Sequence, residues 1–264
     1  MVHQLAAVDK RASIGKNVVI EAFTSIAADV EIGEGTWIGP NVTIMDGARI
    51  GKNCKIFPGT VVSAIPQDLK FEGEYTQVFI GDNTTLRECV TINRGTKALG
   101  YTKVGNDCLI MATAHIAHDC VVGNNVIIAN SCAIAGHVEI GDYTVMGGLS
   151  AVQQFVRIGK HTMISGGSLV RKDIPHYIKV GRDPISYAGI NSVGLRRRGF
   201  TNEKIFEIQN IYRAIFQMKM NVTQAMHYIE KEMLPTVERD EILLFIQNSK
   251  AGIVKGYGSG LVKV

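Results

Sequence analysis

Aliphatic residues recur at every sixth position over most of the chain. The series runs without a miss from Val8 to Val62, resumes from Ile80 to Ile92, and continues from Val104 to Val170. These anchors are Val8, Ile14, Ile20, Ile26, Ile32, Ile38, Ile44, Ile50, Ile56, Val62, Ile80, Leu86, Ile92, Val104, Ile110, Ile116, Val122, Ile128, Ile134, Ile140, Met146, Val152, Ile158, Ile164 and Val170. The residue after an anchor is often glycine, and the fourth residue after it is usually small or β-branched.

A period of six fits neither an amphipathic helix, with a period of about 3.6, nor an isolated strand, with a period of about 2. It fits a short strand followed by a turn, which forms one flat side of a triangular coil. Three such hexads make one coil, and successive coils stack at about 4.8 Å with their anchors pointing inward. The pattern therefore predicts a mainly β protein with a parallel β-helix over residues 1–175.

The hexads are interrupted twice, at about 64–79 and 95–103. Both interruptions are polar and are expected to protrude as loops. Loops carried by a rigid scaffold are common sites of binding residues. These two segments are therefore candidate functional regions.

After about residue 175 the pattern changes to helical periodicity, and a C-terminal α-helical domain is predicted over 176–264. Thr201 is placed to cap a first helix, and Asn221 and Gln224 are spaced as a capping pair for a second. A third helix is predicted after Pro235. This domain is expected to cover an open end of the solenoid, because stacked repeats need capping.

Composition narrows the class of protein. The net charge of +4 is far from that of a strongly basic nucleic-acid binder, and no apolar run approaches the roughly 20 residues that cross a bilayer. The first residues lack the apolar core of a signal peptide, and the five cysteines include no C-x-x-C pair. We therefore expect a cytoplasmic protein with no integral membrane segment and no nucleic-acid partner.

Four of the cysteines share one position of the repeat. Cys54, Cys108, Cys120 and Cys132 each stand four residues after an anchor, where the side chain should face inward. They are predicted to be small core residues, as buried free cysteines generally are. Cys89 is one place off this register, and the sequence offers no reason for it.

Three histidines cluster in the middle of the repeats. His118, Gly136 and Gln154 each lie two residues after an anchor and are 18 residues apart, so they should stack in one column, with His115 and His137 adjoining it. A histidine is a natural general base for a hydroxyl, and a glycine N–H can stabilise a developing oxyanion. Acyl transfer needs both groups. The alternative is that these are surface histidines without a chemical role.

Four short segments are more specific than the repeat. They are Gln67–Lys70 (QDLK), Ala114–Cys120 (AHIAHDC), Ala135–Val138 (AGHV) and Arg197–Phe200 (RRGF). Together with both interruptions and the helical tail, they resemble the UDP-N-acetylglucosamine O-acyltransferase family of lipid A synthesis over essentially the whole chain. That family belongs to the hexapeptide-repeat proteins, and the resemblance implies a left-handed β-helix.

The resemblance also implies an activity. His118 would remove the proton from the sugar 3-hydroxyl as it attacks the thioester of a 3-hydroxyacyl chain on acyl carrier protein. Asp119 would orient or charge-stabilise His118, and the Gly136 N–H would contact the oxyanion. The implied substrates are acyl carrier protein and UDP-N-acetylglucosamine, with no cofactor or metal. The implied assembly is a homotrimer with its active site between subunits.

Further site residues follow from the same resemblance. Those that would hold the sugar and phosphates are Gln67, Asp68, Lys70, His115, His137 and Gln154. Those that would touch the nucleotide are Asn191, Arg197 and Arg198. Gly166 would lie at the end of the acyl groove, where a glycine suggests a deep groove and a long acyl chain. The chain departs from the family pattern at Gln153, commonly histidine, and Val193, commonly glutamate, so its nucleotide contacts are expected to differ.

Three other interpretations remain open at this stage. Hexapeptide-repeat proteins that resemble γ-class carbonic anhydrases bind zinc through three histidines between subunits, and three clustered histidines occur here. A sister acyltransferase that modifies the 2-amino group carries an extra amino-terminal domain, whereas the hexads of this chain start at Val8. A non-catalytic scaffold would leave the histidine column and the QDLK segment without a purpose.

Overall fold

The computed structural model describes residues 1–256, and its main body is a triangular prism of stacked coils. Each coil contributes one short strand to each of three faces, because every strand up to Ala151–Val152 pairs in parallel with the strand three places further along the chain. The prism therefore has three corners. The first corner follows the first face along the chain, the second corner follows the second face, and the third corner follows the third face. The predicted helical domain extends to residue 264, and its last part, 257–264, lies outside the described residues.

As far as Leu169–Val170, the strands of the three faces follow one another in strict rotation. The first face is made of β1 Ala7–Val8, β4 Ser25–Ile26, β7 Thr43–Ile44, β10 Val61–Ala64, β13 Thr91–Asn93, β16 His115–Ile116, β19 Ala133–Ile134, β22 Ala151–Val152 and β25 Leu169–Val170. The second is made of β2 Ser13–Ile14, β5 Val30–Ile32, β8 Ala48–Ile50, β11 Gln77–Ile80, β14 Tyr101–Val104, β17 Val121–Val122, β20 Glu139–Ile140 and β23 Arg157–Ile158. The third is made of β3 Val19–Ile20, β6 Trp37–Ile38, β9 Lys55–Ile56, β12 Thr85–Leu86, β15 Leu109–Ile110, β18 Ile127–Ile128, β21 Val145–Met146, β24 Met163–Ile164, β26 Ile178–Gly181 and β27 Ser186–Ile190.

The interior of the prism is filled by the aliphatic anchors. Every anchor from Ile20 to Val170 is buried, whereas Val8 and Ile14, in the first coil, are half-buried. The four cysteines predicted to face inward are also buried, and their thiols are free, which confirms them as core residues. Burial of these stacked aliphatic layers is the main stabilising contribution, since it removes apolar surface from water along the whole length of the solenoid.

Most of the corner turns contain a residue with left-handed backbone geometry, three positions after the anchor. Asn53, Asn125 and Cys89 are examples, with φ of 53°, 56° and 57°. Asparagine tolerates this conformation better than most residues, which explains its frequency at the corners. Cys89 is exposed and occupies the same turn position, so its departure from the cysteine register reflects a corner rather than the core.

A hairpin and four helices follow the solenoid. Strand β26 extends the third face in parallel with β24, and β27 pairs with β26 in antiparallel fashion. The helices are α1 Ser192–Arg197, α2 Asn202–Gln217, α3 Val222–Glu232 and α4 Val237–Gln247. The hairpin and α1 were not predicted, because their apolar residues follow no hexad and α1 is too short to show helical periodicity. In residues 1–256, none of these helices is long and apolar enough to cross a membrane.

The predicted helix starts are confirmed by cap hydrogen bonds. The Thr201 side chain accepts from the Lys204 N–H, and Asn221 and Gln224 form a reciprocal capping box. The third predicted helix begins after Thr236, whose side chain accepts from the Arg239 N–H. These side chains satisfy N–H groups that have no partner within the helix itself.

Candidate active site

The first corner of the prism carries the candidate site. The chain leaves this corner after β10 and β13 to form loop one, residues 65–76, and loop two, residues 94–100. On the next three coils the same corner carries His118, Gly136 and Gln154, because Ile116 pairs with Ile134 and Ile134 with Val152. The hexad register thus places both loops and the histidine column along one edge.

His118 and its neighbour Asp119 form a buried hydrogen-bonded pair at this corner. His118 Nδ1 lies 2.8 Å from Asp119 Oδ2, and the two residues are 7% and 3% exposed. Burial raises the pKa of Asp119, but hydrogen bonds from His118 and Thr96 outweigh it and hold the pKa below its usual value. An ionised carboxylate only accepts hydrogen bonds, so Nδ1 of His118 carries the proton and Nε2 is left as the basic nitrogen.

Gly136 lies directly against the His118 ring. A Cβ atom at this position would stand 2.6 Å from His118 Nε2 and 2.5 Å from Cε1, so only glycine fits beside the imidazole. Among residues 1–256, the Gly136 N–H has no hydrogen-bond acceptor. A basic nitrogen and an available N–H donor are therefore adjacent, as deprotonation of an alcohol beside an oxyanion contact requires.

His137 faces the same pair from the next coil. Its Nε2 lies 3.6 Å from Asp119 Oδ2, and its ring meets the His118 ring edge to face at a centroid distance of 5.1 Å. The other side of the ring stacks on Phe155 at 4.7 Å. Asp119, His137 and Phe155 all stand at the left-handed turn position, with φ of 57°, 59° and 67°, so the winding of the coil stacks them.

His115 and Gln154 complete the column. His115 lies on β16 with its Nδ1 2.8 Å from Thr91 Oγ1, and burial, reinforced by the neighbouring His118, lowers its pKa. Gln154 and Gln153 are exposed at the corner, one coil beyond Gly136. The structure therefore brings together His115, His118 and His137, as predicted from the repeat, with Gln154 exposed beside them.

The predicted residues of loop one stand at the edge of the same corner. Gln67 and Lys70 are exposed, and the Asp68 carboxylate accepts the Lys70 N–H at 3.0 Å. Leu69 between them is fully exposed. The side chains of Gln67 and Lys70 are thus directed to solvent, available to a ligand or to another subunit.

Asn191, Arg197 and Arg198 lie at the second corner rather than the first. Asn191 caps α1, and its amide also donates to the carbonyl of His161 at 2.9 Å. Arg198 donates to the Gly194 carbonyl at 3.0 Å and lies over the Tyr143 ring, while Arg197 is exposed. A single chain therefore does not bring these residues to His118.

Gly166 and Val193 are also remote from the first corner. Gly166 is exposed at the third corner, two residues after the anchor Ile164, and a Cβ there would stand 3.1 Å from the Gly148 carbonyl oxygen. Val193 is exposed on α1. Within one chain the predicted site residues are thus distributed over three corners of the prism.

Sequence reasoning missed the groups that hold Asp119 in place. The Thr96 N–H and hydroxyl donate to the Asp119 carboxylate at 2.9 and 2.7 Å, and the Leu99 N–H donates at 3.2 Å. The Thr102 hydroxyl accepts the Asp119 N–H at 2.9 Å. The sequence contains one sign of these contacts, which is that loop two leaves the same corner one coil before His118.

One group of side chains has the spacing of a metal site. His118, Asp119 and His137 offer ligand atoms that all lie within 4.8 Å of one another. His115 is not part of this group, so the three neighbouring histidines do not form the zinc-ligand set considered from the sequence. The Asp119 carboxylate already accepts hydrogen bonds from His118 and Thr96, which a metal ion would displace.

Comparison with known proteins places the chain among bacterial transferases. The family model described as UDP-N-acetylglucosamine O-acyltransferase, domain 2, matches residues 173–254, and the model of the bacterial transferase hexapeptide matches 29–64 and 101–136. The acyl-[acyl-carrier-protein]–UDP-N-acetylglucosamine O-acyltransferase of Chlorobaculum parvum is 56% identical over 95% of this chain and 96% of its own. The enzyme of the same name from Chlorobium phaeobacteroides is 58% identical over the same shares.

Solved structures agree with this placement. A UDP-N-acetylglucosamine acyltransferase from Bacteroides fragilis is 47% identical and covers 97% of this chain and 100% of its own, with a TM-score of 0.95. The corresponding Acinetobacter baumannii structure is 38% identical with a TM-score of 0.93, and covers 96% of this chain and 99% of its own.

The prism of hexapeptide repeats, together with the names of these relatives, defines a hexapeptide-repeat O-acyltransferase with a left-handed parallel β-helix, which confirms the predicted fold class. The similarity extends over almost the full length of the relatives. The chain belongs to the UDP-N-acetylglucosamine O-acyltransferase family.

Proposed function

We propose that this protein transfers a (R)-3-hydroxyacyl chain from acyl carrier protein to the 3-hydroxyl of UDP-N-acetylglucosamine, the first step of lipid A synthesis. The observation that carries the proposal is the contact between the His118 ring and Gly136, which joins a basic nitrogen to an available N–H donor. The names of the relatives support the two substrates.

In the proposed reaction His118 Nε2 takes the proton of the sugar hydroxyl as its oxygen attacks the thioester carbonyl carbon. The Gly136 N–H donates to the oxyanion that develops on the carbonyl oxygen. The carbon–sulfur bond then breaks, and the leaving thiolate receives the proton from His118. Asp119 stabilises the imidazolium between these steps, because its buried carboxylate is ionised and hydrogen-bonded to Nδ1. The reaction needs no cofactor and no metal.

We propose that the site is completed in a homotrimer, between subunits. The separation of the candidate residues supports this, since His118 stands at the first corner, Asn191, Arg197 and Arg198 at the second and Gly166 at the third. If two prisms pack side by side, different corners meet, and the groove between them receives groups from both chains. Gln67, Asp68, Lys70, His115, His137 and Gln154 would then bind the sugar and its phosphates.

We propose that the acyl chain lies in a groove that ends at Gly166 and that this groove sets the length of the chain. Glycine has no side chain to block such a groove, so a long 3-hydroxyacyl donor is favoured. A panel of 3-hydroxyacyl carrier-protein thioesters with UDP-N-acetylglucosamine, with products identified by mass spectrometry, measures this preference and tests the substrate assignment. We place the reaction in the cytoplasm, which the five free thiols support.

His118→Ala tests the proposal. Loss of a general base costs about 10²–10⁴-fold in rate, so kcat should fall by that factor while the fold is kept. The control is His227→Ala in helix α3, distant in sequence from the site. If His118→Ala keeps kcat within about threefold of the parent protein, the general-base role is wrong. Stoichiometric zinc in the purified active protein would instead favour the metal interpretation of His118, Asp119 and His137.

A further inference from the structure

Loop two, residues 94–100, folds over Asp119 and supplies most of its hydrogen-bond donors. Thr96 is only 7% exposed, and both its N–H and its hydroxyl reach the carboxylate, at 2.9 and 2.7 Å. The Leu99 N–H adds a third donor at 3.2 Å. Loop two therefore holds the carboxylate that in turn orients His118.

The direction of the hydrogen bond from the Thr96 hydroxyl is fixed by its surroundings. Its oxygen accepts the Ala98 N–H at 3.2 Å, and its single proton points to the ionised Asp119 carboxylate, which can only accept. The hydroxyl thus donates to Oδ2, the same oxygen that receives His118 Nδ1. A second bond to this oxygen restrains the rotation of the carboxylate about its own axis.

That restraint matters because Oδ2 has two imidazoles within reach. His118 Nδ1 is 2.8 Å away, and His137 Nε2 is 3.6 Å away. A small rotation of the carboxylate would exchange its hydrogen bond with His118 for one with His137. The orientation of the His118 ring and the proton on its Nδ1 would then no longer be fixed. The geometry points to Thr96 as a positioning residue of the acyl transfer, which keeps Asp119 on His118; this rests on the proposed role of His118 as general base.

The loop is rigid enough for this role. At its base the Gly95 N–H donates to the Gln77 carbonyl at 3.3 Å, and the Gln77 N–H donates to the Gly100 carbonyl at 3.0 Å. Gly95 packs so closely that a Cβ would stand 2.3 Å from the Tyr101 nitrogen. The Lys97 N–H also donates to Glu74 of loop one at 2.9 Å. Backbone contacts therefore fix the position of the Thr96 hydroxyl.

Thr96→Val removes the hydroxyl and keeps the shape of the side chain and the backbone N–H. We expect kcat to fall about 10–100-fold with KM for UDP-N-acetylglucosamine changed less than about threefold, because substrate contacts stay and only the base is misplaced. Thr96→Ser should restore kcat to within about threefold of the parent. Thr96→Ala carries the same expectation as Thr96→Val if the valine variant does not fold.

The matched control is Thr144→Val, which likewise removes the hydroxyl of a buried threonine. The Thr144 hydroxyl donates to the Gly159 carbonyl at 3.0 Å. A purely structural effect would lower the activity of both variants equally. We expect kcat of Thr144→Val within about twofold of the parent. In proton NMR spectra, the downfield imidazole N–H signal that His118→Ala abolishes should shift or broaden in Thr96→Val and remain in Thr96→Ser and Thr144→Val.

The outcomes separate this proposal from the proposed function. If His118→Ala is inactive but Thr96→Val keeps full kcat and an unchanged imidazole signal, Thr96 has no positioning role and the general base stands. Equal losses in Thr96→Val and Thr144→Val would also refute the role. If His118→Ala itself stays active, the proposed function fails first, and the NMR signal alone reports whether Thr96 holds the pair.

Discussion

At the residue scale, the candidate chemistry depends on a glycine at position 136. Gly136 is buried beside the His118 ring. Its φ is not positive, so its backbone conformation is open to other residues. The requirement for glycine is therefore steric and comes from the imidazole of the neighbouring coil. This distinguishes it from corner glycines such as Gly35, with φ of 73°, where the backbone itself favours glycine.

Gly136→Ala should consequently displace the His118 ring, because the added methyl would overlap Nε2. A shift of about 1 Å in a reacting group costs roughly 10²-fold in rate, so kcat should fall by about that factor. Steady-state kinetics measure the loss, and thermal unfolding checks that the solenoid remains intact. Activity within about threefold of the parent would show that the contact has no catalytic consequence.

At the scale of elements, the three faces of the prism differ in their outward residues. Leu109, Ile127, Val145 and Met163 point outward from consecutive coils of the third face and are half-buried. The second face instead presents charged side chains, among them Glu139 and Arg157, which pair at 3.2 Å. A contiguous apolar strip beside a charged face favours the third face as the contact with a neighbouring subunit.

Ile127→Asp should therefore weaken the proposed trimer, because burying an unpaired carboxylate between subunits is costly. Sedimentation velocity should show dissociation to smaller species. Val121→Asp is the matched control, since Val121 is also outward, half-buried and aliphatic but lies on the second face. A trimer that survives Ile127→Asp as well as it survives Val121→Asp would contradict the assignment of the third face.

At the scale of the whole molecule, the attachment of the helical region to the solenoid involves a half-buried neutral histidine. His176 Nδ1 accepts the Lys160 N–H at 2.9 Å, and its ring contacts Phe245 of α4. On earlier coils of the same corner, the side chains of Asn124 and Asp142 accept the equivalent N–H groups. Burial lowers the pKa of His176 to about 4, and Lys160 adds to this while Glu241 opposes it.

The folded state should therefore lose stability in acid. With a pKa of 6.5 when unfolded and about 4 when folded, His176 binds more protons in the unfolded state between these values. Its contribution is complete above pH 6.5, falls as the pH drops towards 4, and then levels off. His161 has a pKa lowered to about 4 by burial and should act in the same direction.

His176→Asn should reduce this acid sensitivity, because asparagine keeps the acceptor for Lys160 and removes the titrating group. Urea unfolding at several pH values measures the slope, which should be shallower in the variant between pH 6.5 and 4. The control is His227→Asn on α3, which makes the same side-chain change away from the contact with Lys160 and Phe245. An identical slope in His176→Asn and the parent protein would show that His176 does not titrate in this window.

The period of six alone determined the solenoid, the inward cysteines and the stacking of His118, Gly136 and Gln154, because each coil repeats the same local geometry and position in the hexad fixes position on the prism. Short local signals likewise predicted the caps at Thr201 and Asn221. The boundary at residue 175 and the roles of the site residues stay predictions.

Only the tertiary structure decided which groups hold the histidine. Thr96 reaches Asp119 across 23 positions of sequence because loop two folds back over the next coil, and no periodicity encodes the path of a loop. The same holds for Asn191 and Arg198, whose position at the second corner depends on how the chain after the last hexad returns to the prism. A repeat specifies what each coil shares, whereas interruptions of the repeat are specified by long-range contacts.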